Sequence, residues 1–330
     1  MTTGQLSIAV IGCGIIGSRH AQALAALKRP AILYLTDTSS AARAAAKNLM
    51  FQSGGTDFDL QIAEAATAGS LPPALDVAIV ATVAAARRQV IEELLNGRNV
   101  RFLILEKFLF QSNEDFAWAG AAIRRAGVHA YVNCPRRLWP GYVGLRRTLV
   151  EEGGPVALSC TTHARFGIGT TAIHLLDLLA YLSGTLDFDM SYALVDPEPL
   201  PHRSGGVDFS GSLLGKSKCG DVFRYTAFRD GTLPVGITIE APSLRAHVDE
   251  SRKIIRLSRR DTGWTWESLP FETPFQSQLT HAVVEDLTAR GSCGLTPYNE
   301  SARLHLAILE PLLAHYRKHA DPHALSCPIT

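Results

Sequence analysis

The sequence has no surplus of either charge and no long apolar run. Lys and Arg number 32 against 31 Asp and Glu, giving a net charge of +1, so a basic surface for nucleic acid is not expected. The apolar runs are far shorter than the roughly 20 residues that span a bilayer, and no basic segment precedes the first of them. We therefore predict neither a membrane span nor a secretory signal, and expect a cytoplasmic protein.

The chain also lacks any paired cysteine motif. Its six cysteines are isolated, with no CxxC pair and no metal-ligand spacing to a histidine, which predicts reduced thiols and no metal site. The length of 330 residues, of which 46% are hydrophobic and 19% charged, allows about two domains and excludes global disorder.

A glycine pattern lies between a predicted strand and a predicted helix near the N-terminus. The apolar run LSIAVI precedes Gly12-x-Gly14-x-x-Gly17, and an Ala/Leu-rich helical pattern follows. Gly12 would permit a tight turn, Gly14 the approach of a pyrophosphate, and Gly17 close packing of helix on strand. The first helical residues, Ile15 and Ile16, would offer free N–H groups and a favourable dipole to phosphate. We predict dinucleotide binding.

A second apolar run, AILYLTD, ends in Asp37, 20 residues after Gly17. This is the spacing of a carboxylate that binds a ribose 2′-hydroxyl, and its charge would repel a 2′-phosphate, favouring NAD over NADP. The hydroxyls of Ser39 and Ser40, with Arg43, could accept a phosphate, so NADP remains the alternative cofactor.

Strand and helix patterns alternate as far as residue 133. The runs DVAIVATV, VRFLILEKF and VHAYVNCP resemble buried strands, and the segments between them are helical. The alternation predicts a doubly wound parallel Rossmann sheet, in which ligands bind beyond the carboxyl ends of the strands. Glu106 and Lys107 are adjacent charges at such a strand end, so we predict that they lie at the cofactor rather than in the core.

Residues 134–330 have a different pattern. Helical segments are joined by runs that alternate polar and apolar residues and are separated by Gly, Pro and Asp. This predicts an α+β domain with a mostly antiparallel sheet, helices on one face and the other face open. GSLLGKS (211–217) lacks one residue for a phosphate-binding loop, and His315 with His319 is interpreted as a solvated helix end.

The order and spacing of these features resemble the glucose–fructose oxidoreductase / inositol dehydrogenase (Gfo/Idh/MocA) family over nearly the whole chain. The resemblance rests on the following motifs: Gly12-Cys13-Gly14-Ile15-Ile16-Gly17, Asp76 with Ala81-Thr82, Glu106-Lys107, Arg137-x-x-Pro140, His174-x-x-Asp177 and Pro297-x-x-x-x-Ala302. It implies a Rossmann domain over 1–133 and a substrate-binding and oligomerisation domain over 134–330. It also implies NAD(P)-dependent hydride transfer to or from a sugar derivative, in a homodimer or homotetramer formed through the open sheet face.

The resemblance implies roles for individual residues. Lys107 would reach the nicotinamide and the substrate hydroxyl, and His174 would be the general acid and base. The candidates for substrate binding are Arg137, Arg165, Thr170 and Asp177. The candidates for cofactor binding are Gly12, Gly14, Ile15, Ile16, Gly17, Asp37, Thr82, Arg87, Glu106 and Lys107.

Three residues depart from the family pattern. Phe108 replaces a proline, Thr170 an aspartate, and Arg87 a common histidine. Two alternatives therefore remain: an epimerase or glycosidase that recycles its NAD, and a regulatory protein that binds NAD(P)(H) without catalysis. Arg87, Arg137 and Arg165, with neighbouring Arg136, favour an acidic or nucleotide-linked sugar, but the sequence does not identify the substrate.

Overall fold

A computed structural model describes residues 4–52, 59–202 and 205–330. The chain forms two compact units. The first contains Met1–Phe110, Glu114–Asn133 and Pro274–Tyr298, and the second contains Gln111–Asn113, Cys134–Thr273 and Asn299–Thr330. The first unit thus includes Pro274–Tyr298, a segment that the sequence-based division placed in the second domain.

Strands and helices alternate along the first unit, whereas strands predominate in the second. The strands are β1 (Leu6–Ile11), β2 (Ala31–Thr36), β3 (Leu60–Ala65), β4 (Ala74–Val80), β5 (Asn99–Leu105), β6 (His129–Val132), β7 (Ala157–His163), β8 (Phe188–Val195), β9 (Leu200–Pro201), β10 (Val207–Asp208), β11 (Gly211–Ser217), β12 (Val222–Phe228), β13 (Gly236–Ala241), β14 (Leu244–Asp249), β15 (Ile254–Arg259), β16 (Trp266–Pro270) and β17 (Thr296–Pro297). The helices are α1 (Ile15–Leu24), α2 (Ser40–Phe51), α3 (Ala84–Leu95), α4 (Asn113–Ala126), α5 (Pro140–Glu152), α6 (Ile168–Ser183), α7 (Thr280–Arg290) and α8 (Tyr298–His319).

The first unit contains a seven-stranded sheet in the order β17-β6-β5-β4-β1-β2-β3. All neighbouring strands are parallel except β17, which pairs antiparallel with β6. The last four residues of each of the central strands β1, β4 and β5 are buried and apolar, as is expected in a sheet covered on both faces. The predicted doubly wound sheet is confirmed. Its strand order reverses between β1 and β4, where ligands bind in such sheets.

The second unit contains an eight-stranded sheet in the order β16-β15-β14-β13-β7-β12-β11-β8. Neighbouring strands are antiparallel except β7 and β12. Buried and exposed residues alternate along β12 and β14, and α6 contacts β7 and β12. The mostly antiparallel sheet with one open face is therefore confirmed. Strand β14 was not predicted from the sequence.

Two segments that imitate known motifs have ordinary structural roles. GSLLGKS forms strand β11. The interpretation of His315 as solvated was wrong, because this residue is 2% exposed and packs against the rings of Tyr192 and Phe209. Its Nε2 lies 2.9 Å from the carbonyl oxygen of Asp196. Within the described ranges, no helix has both the length and the apolar character needed to cross a membrane.

Candidate functional site

The glycine loop between β1 and α1 leaves room for a ligand at one glycine only. Gly12 has φ +92°, and a Cβ there would lie 2.9 Å from the backbone of Ala81 and Thr82. A Cβ on Gly17 would lie 1.7 Å from the carbonyl oxygen of Gly12. A Cβ on Gly14 would meet no atom of the described residues within 4 Å. Two glycines thus serve the protein's own packing, and the third leaves open space at the helix N-terminus, which fits a pyrophosphate.

The start of α1 is apolar on its exposed surface. Ile15 is 70% and Ile16 44% exposed, whereas Gly17 is buried. The loop that follows β4 presents another such side chain, Val83, at 50% exposure. Large apolar side chains beside an open backbone cradle suit the rings of a dinucleotide.

Asp37 follows β2 and lies beside the glycine loop. Its Oδ2 accepts a hydrogen bond of 2.8 Å from the backbone N–H of Cys13, and its Oδ1 accepts one of 2.8 Å from that of Ser39. Burial and the nearby Asp37 charge raise the pKa of the Cys13 thiol to about 12, so this thiol stays protonated. The carboxylate therefore fixes the glycine loop and is half-exposed at the position expected for a ribose partner.

Arg43, the residue that would bind a 2′-phosphate, already pairs with other groups of the protein. Its side chain is 15% exposed, and its Nε pairs with Glu64 Oε2 at 3.0 Å. Its NH1 donates to the carbonyl oxygen of Asp37 at 2.5 Å. Two carboxylates, Asp37 and Glu64, thus surround this end of the sheet, and a third negative group would be repelled there.

Arg87 was predicted to contact the cofactor, but its guanidinium is turned into the protein. The residue is 1% exposed. It donates to the carbonyl oxygens of Thr82, Phe108 and Leu109, the last at 2.9 Å. Burial lowers its pKa to about 10, and the charge of Glu106 opposes this shift. Arg87 thus joins the loop after β4, which includes Thr82, to the segment after β5, and we assign it to holding these loops together.

Glu106 is held by a buried hydrogen-bond network at the end of β5. Its Oε1 lies 2.9 Å from His20 Nε2 and accepts from Asn133 Nδ2 at 2.5 Å. His20 Nδ1 lies 2.9 Å from Thr280 Oγ1. Gln276 connects Thr280 with Asn133. Its Nε2 donates to Thr280 Oγ1 at 2.9 Å, and its Oε1 accepts from Asn133 at 2.8 Å. The four partners come from α1, the end of β6, and the segment that includes α7.

The charge of Glu106 is stabilised despite its burial at 7% exposure. Burial alone would raise the pKa of this carboxyl. The hydrogen bond and charge of His20, followed by the hydrogen bond from Asn133 and the charge of Lys107, outweigh burial and hold the pKa below its ordinary value. Glu106 is therefore an anion at neutral pH.

Lys107 leaves the buried strand next to this anion. It is half-exposed, whereas Phe108, Leu109 and Phe110 after it are fully buried. The bond between Lys107 and Phe108 is a cis peptide. Phe110 packs edge-on against Phe116 with ring centroids 5.2 Å apart. Lys107 is thus the charged side chain that the end of β5 presents outside the core.

In the second unit, His174 lies on α6, a mostly apolar helix. It is half-exposed, whereas residues 175–180 are all buried. Thr170, one turn earlier, donates its hydroxyl to Asp208. Asp208 Oδ1 also accepts from the backbone N–H of Gly169 at 2.7 Å and of Phe209 at 2.8 Å. Position 170 thus carries a threonine and no aspartate, but Asp208 of β10 places a buried carboxylate beside it. This carboxylate binds the first turn of α6.

Two arginines predicted near the substrate form ion pairs within the second unit. Arg137 contacts both carboxylate oxygens of Asp177 at 3.0 Å, and the two side chains are 9% and 1% exposed. Arg136 pairs with Glu250 at 2.7 Å. Arg165, in contrast, is exposed in the short turn before α6. Of these arginines, Arg165 has the exposure that a substrate contact requires.

Sequence reasoning missed four residues of the Glu106 network. They are His20, Asn133, Gln276 and Thr280. His20 did carry a signal, since it lies three residues after Gly17 on the same helical face as the buried residues Ala21 and Leu24. A polar ring on the buried face of a helix requires a partner, although the sequence does not say which.

Comparisons with known proteins give a family match for part of the chain. A family model described as ketopantoate reductase PanE/ApbA matches residues 8–105. The match covers less than half of the chain and includes the glycine loop, Asp37 and β4. No curated protein matches the sequence significantly.

Solved structures match over almost the whole chain. UDP-N-acetylglucosamine 3-dehydrogenase from Acidithiobacillus ferrooxidans has a TM-score of 0.72 at 16% identity, covering 94% of this chain and 98% of that one. An NAD-binding oxidoreductase from Klebsiella pneumoniae has a TM-score of 0.71 at 15% identity, with coverage of 94% and 97%. Levoglucosan dehydrogenase in complex with NADH has a TM-score of 0.70 at 15% identity, with coverage of 99% and 100%. At these identities the similarity establishes that this chain shares their fold.

Proposed function

We propose that this chain is an NAD-dependent oxidoreductase that transfers hydride between nicotinamide and a CH–OH carbon of a sugar or sugar derivative. The observation that carries the proposal is the open space at Gly14, at the N-terminus of α1, with the Asp37 carboxylate beside it. The family match over residues 8–105 and the fold shared with NAD-binding oxidoreductases support it.

The charges around Asp37 favour NAD over NADP. A ribose 2′-hydroxyl can donate a hydrogen bond to Asp37, whereas a 2′-phosphate would meet both Asp37 and Glu64. Arg43 could compensate only by leaving Glu64, with which it pairs at 3.0 Å. NADP therefore remains the weaker alternative.

The proposed chemistry divides between the cofactor and this chain's residues. Nicotinamide, when bound, supplies the hydride transfer. Lys107 in the first unit and His174 in the second are the proposed proton-transfer groups, and each is half-exposed. In oxidation, His174 would take the hydroxyl proton and the ammonium of Lys107 would stabilise the developing alkoxide. In reduction, the same groups would return the proton to the carbonyl oxygen.

A sugar derivative is the proposed substrate class. Among proteins of this fold, one is described as a UDP-N-acetylglucosamine 3-dehydrogenase and another as a levoglucosan dehydrogenase. The exposed Arg165, in the turn that leads into the helix of His174, favours a substrate bearing a carboxylate or phosphate. Uronates and nucleotide sugars are therefore the first compounds to test.

Cofactor titration followed by a substrate screen tests the proposal. NADH and NADPH are titrated by fluorescence, and sugars, uronates and nucleotide sugars are then screened for a change in NADH absorbance. We expect tighter binding of NADH than of NADPH. Failure to bind either cofactor would overturn the proposal, and turnover without net NADH would indicate internal redox recycling.

A lysine variant then tests the chemical role. Lys107→Ala should lower turnover by about 100-fold or more while NADH binding and the unfolding transition stay nearly unchanged. Lys318→Ala, at an exposed position near the end of α8, is the matched control and should behave as wild type. Near-normal turnover of Lys107→Ala would remove Lys107 from the mechanism.

We also propose that a second copy of the chain covers the open face of the eight-stranded sheet. Val222, Phe228 and Ile254 on this face are 43%, 53% and 41% exposed. Trp266 packs on His247 with ring centroids 4.7 Å apart. Large exposed apolar side chains on one sheet face favour association. Light scattering of wild type and Phe228→Arg tests this, since the variant should shift toward monomer.

A further inference from the structure

His20 is a buried histidine that connects the proposed phosphate-binding helix to the proposed catalytic strand end. It is 1% exposed and lies in the second turn of α1, whose first turn borders the open space at Gly14. Its Nε2 is 2.9 Å from Glu106, the residue immediately before Lys107. His20 thus connects the start of α1 with the end of β5. The proposed hydride transfer requires these two parts of the sheet edge to be correctly positioned relative to each other.

The hydrogen bonds around His20 are all satisfied by one tautomer. Gln276 donates to Thr280 Oγ1 at 2.9 Å, so the Thr280 hydroxyl can donate its own proton to His20 Nδ1 at 2.9 Å. Nε2–H then donates to Glu106, which is anionic and accepts only. A protonated ring would instead force the Thr280 hydroxyl toward the carbonyl oxygen of Gln276, which is 3.4 Å away. In either case Nε2 carries a proton, because the Glu106 carboxylate can only accept.

From this geometry we infer that His20 is a positioning residue for the proposed reaction. With Nδ1 held by Thr280, its Nε2–H holds the Glu106 carboxylate, and through it the backbone from which Lys107 extends, against α1. The inference rests on the proposed function. His20 touches neither substrate nor cofactor in this role. It acts through Glu106.

The groups that face His20 and Glu106 come from several elements. Thr280 and Gln276 face the ring, and Asn133 faces Glu106 from the end of β6. The charges of His20 and Lys107 lower the pKa of Glu106, and the Glu106 charge in turn acts on the buried Arg87. Removal of the His20 donor would leave the burial of Glu106 unchanged and take away one stabilising hydrogen bond, so the pKa of Glu106 would rise.

A pair of isosteric variants tests the role of Nε2. The amide nitrogen of His20→Gln can reach the position of Nε2, whereas that of His20→Asn reaches only the position of Nδ1. His20→Gln should keep turnover within about fivefold of wild type, and His20→Asn should lose about tenfold or more in kcat. Both should bind NADH with nearly wild-type affinity, because the glycine loop is unaltered.

The pH profile separates positioning from simple packing. The acid limb of kcat should move to higher pH in His20→Asn, because the pKa of Glu106 has risen and a protonated Glu106 no longer stabilises the ammonium of Lys107. The limb should stay in place in His20→Gln. Equal activity and equal pH profiles in wild type and His20→Asn would overturn the inference. So would an equal loss in both variants with an unchanged limb, which would indicate packing alone.

A measurement on the wild-type protein needs neither a substrate nor a stable Asn variant. In ¹⁵N-histidine-labelled protein, the His20 ring is the one whose signals vanish in His20→Gln. Its Nε2, the atom that donates to Glu106, should carry a proton from about pH 6 to about pH 8. A ring with its proton on Nδ1 alone would overturn the inference. Absence of NADH binding by wild type would instead refute the proposed function, and the NMR result would still decide the tautomer.

Discussion

The buried guanidinium of Arg87 donates a hydrogen bond of 2.9 Å to the carbonyl oxygen of Leu109. Thr82 and Phe108 present two further carbonyls to the same group. These contacts join the loops that follow β4 and β5 at the carboxyl edge of the sheet. The cation that the sequence suggested for a ligand contact thus holds two loops of the sheet edge together.

Replacement of Arg87 by Met should destabilise the protein. Three carbonyl oxygens, of which those of Phe108 and Leu109 are buried, would lose their charged donor, which we expect to cost about 3 kcal/mol or more in the free energy of unfolding. Urea denaturation measures this cost. Arg88→Met is the control on the same helix, since Arg88 pairs at the surface with Glu114 and Asp115 and should change stability little. Equal stability of the two variants would contradict the assignment.

Alanine at Gly14 and at Gly17 should have opposite consequences. Gly17→Ala places a Cβ 1.7 Å from the Gly12 carbonyl oxygen and should prevent normal folding. Gly14→Ala meets no described atom within 4 Å, so the variant should fold normally but bind NADH about tenfold more weakly or worse, because the methyl group occupies the ligand's space. Thermal melting and fluorescence titration provide the two readouts. Wild-type NADH affinity in Gly14→Ala would show that no ligand approaches there.

Glu64→Gln should shift cofactor preference toward NADPH without altering Asp37. The substitution weakens the hold on Arg43, whose guanidinium can then meet a 2′-phosphate, and removes one negative charge. We expect NADPH affinity to rise by about three- to tenfold with little change for NADH. Glu92→Gln, an exposed position on α3, should alter neither affinity. An unchanged ratio in Glu64→Gln would mean that the 2′ position does not lie beside Arg43.

The Arg137–Asp177 pair should respond to substitution as a unit. Arg137→Met or Asp177→Leu alone would remove one half of this buried ion pair, at a cost of about 3 to 5 kcal/mol. The double variant should recover much of that loss, because both charges are then removed. Urea unfolding of the four proteins gives the coupling energy. Additive losses would show that the two side chains are stabilised independently.

Asp208 should be more sensitive to Ala than to Asn. Asp208→Ala leaves the buried N–H groups of Gly169 and Phe209 without an acceptor, costing about 2 to 4 kcal/mol, whereas Asp208→Asn retains an acceptor oxygen.

Burial raises the pKa of Asp208, so the folded state binds its proton more tightly than the unfolded state. Wild-type stability relative to Asp208→Asn should therefore fall as the pH rises from the unfolded to the folded pKa. A constant difference would contradict this.

The features that the sequence predicted are those with a local signature. The glycine spacing, the distance to Asp37 and the alternation of strands with helices depend on residues close in the chain. The placement of Glu106 and Lys107 at a strand end followed from the same periodicity. Each is set by backbone geometry that neighbouring residues determine.

The features that escaped prediction are set by packing between distant segments. His20 and Thr280 are 260 residues apart, and no periodicity connects them. The sequence shows that Arg87 is a cation near a strand end, but its inward direction depends on the carbonyls that Phe108 and Leu109 present. The pairing of Arg137 with Asp177 likewise requires two elements to meet, and only the folded unit determines that meeting.

Because Pro274–Tyr298 belongs to the first unit, that unit can be completed only late in translation. The glycine loop and Glu106 emerge early, but Gln276, Thr280 and β17 are translated only after the long segment Cys134–Thr273. At ordinary elongation rates this delay is on the order of ten seconds. During this delay the nascent first unit lacks the edge strand β17. It also lacks Gln276 and Thr280, two residues of the Glu106 network. Native assembly of the first unit therefore ends late in translation. The segment Cys134–Thr273 is synthesised before that unit is complete.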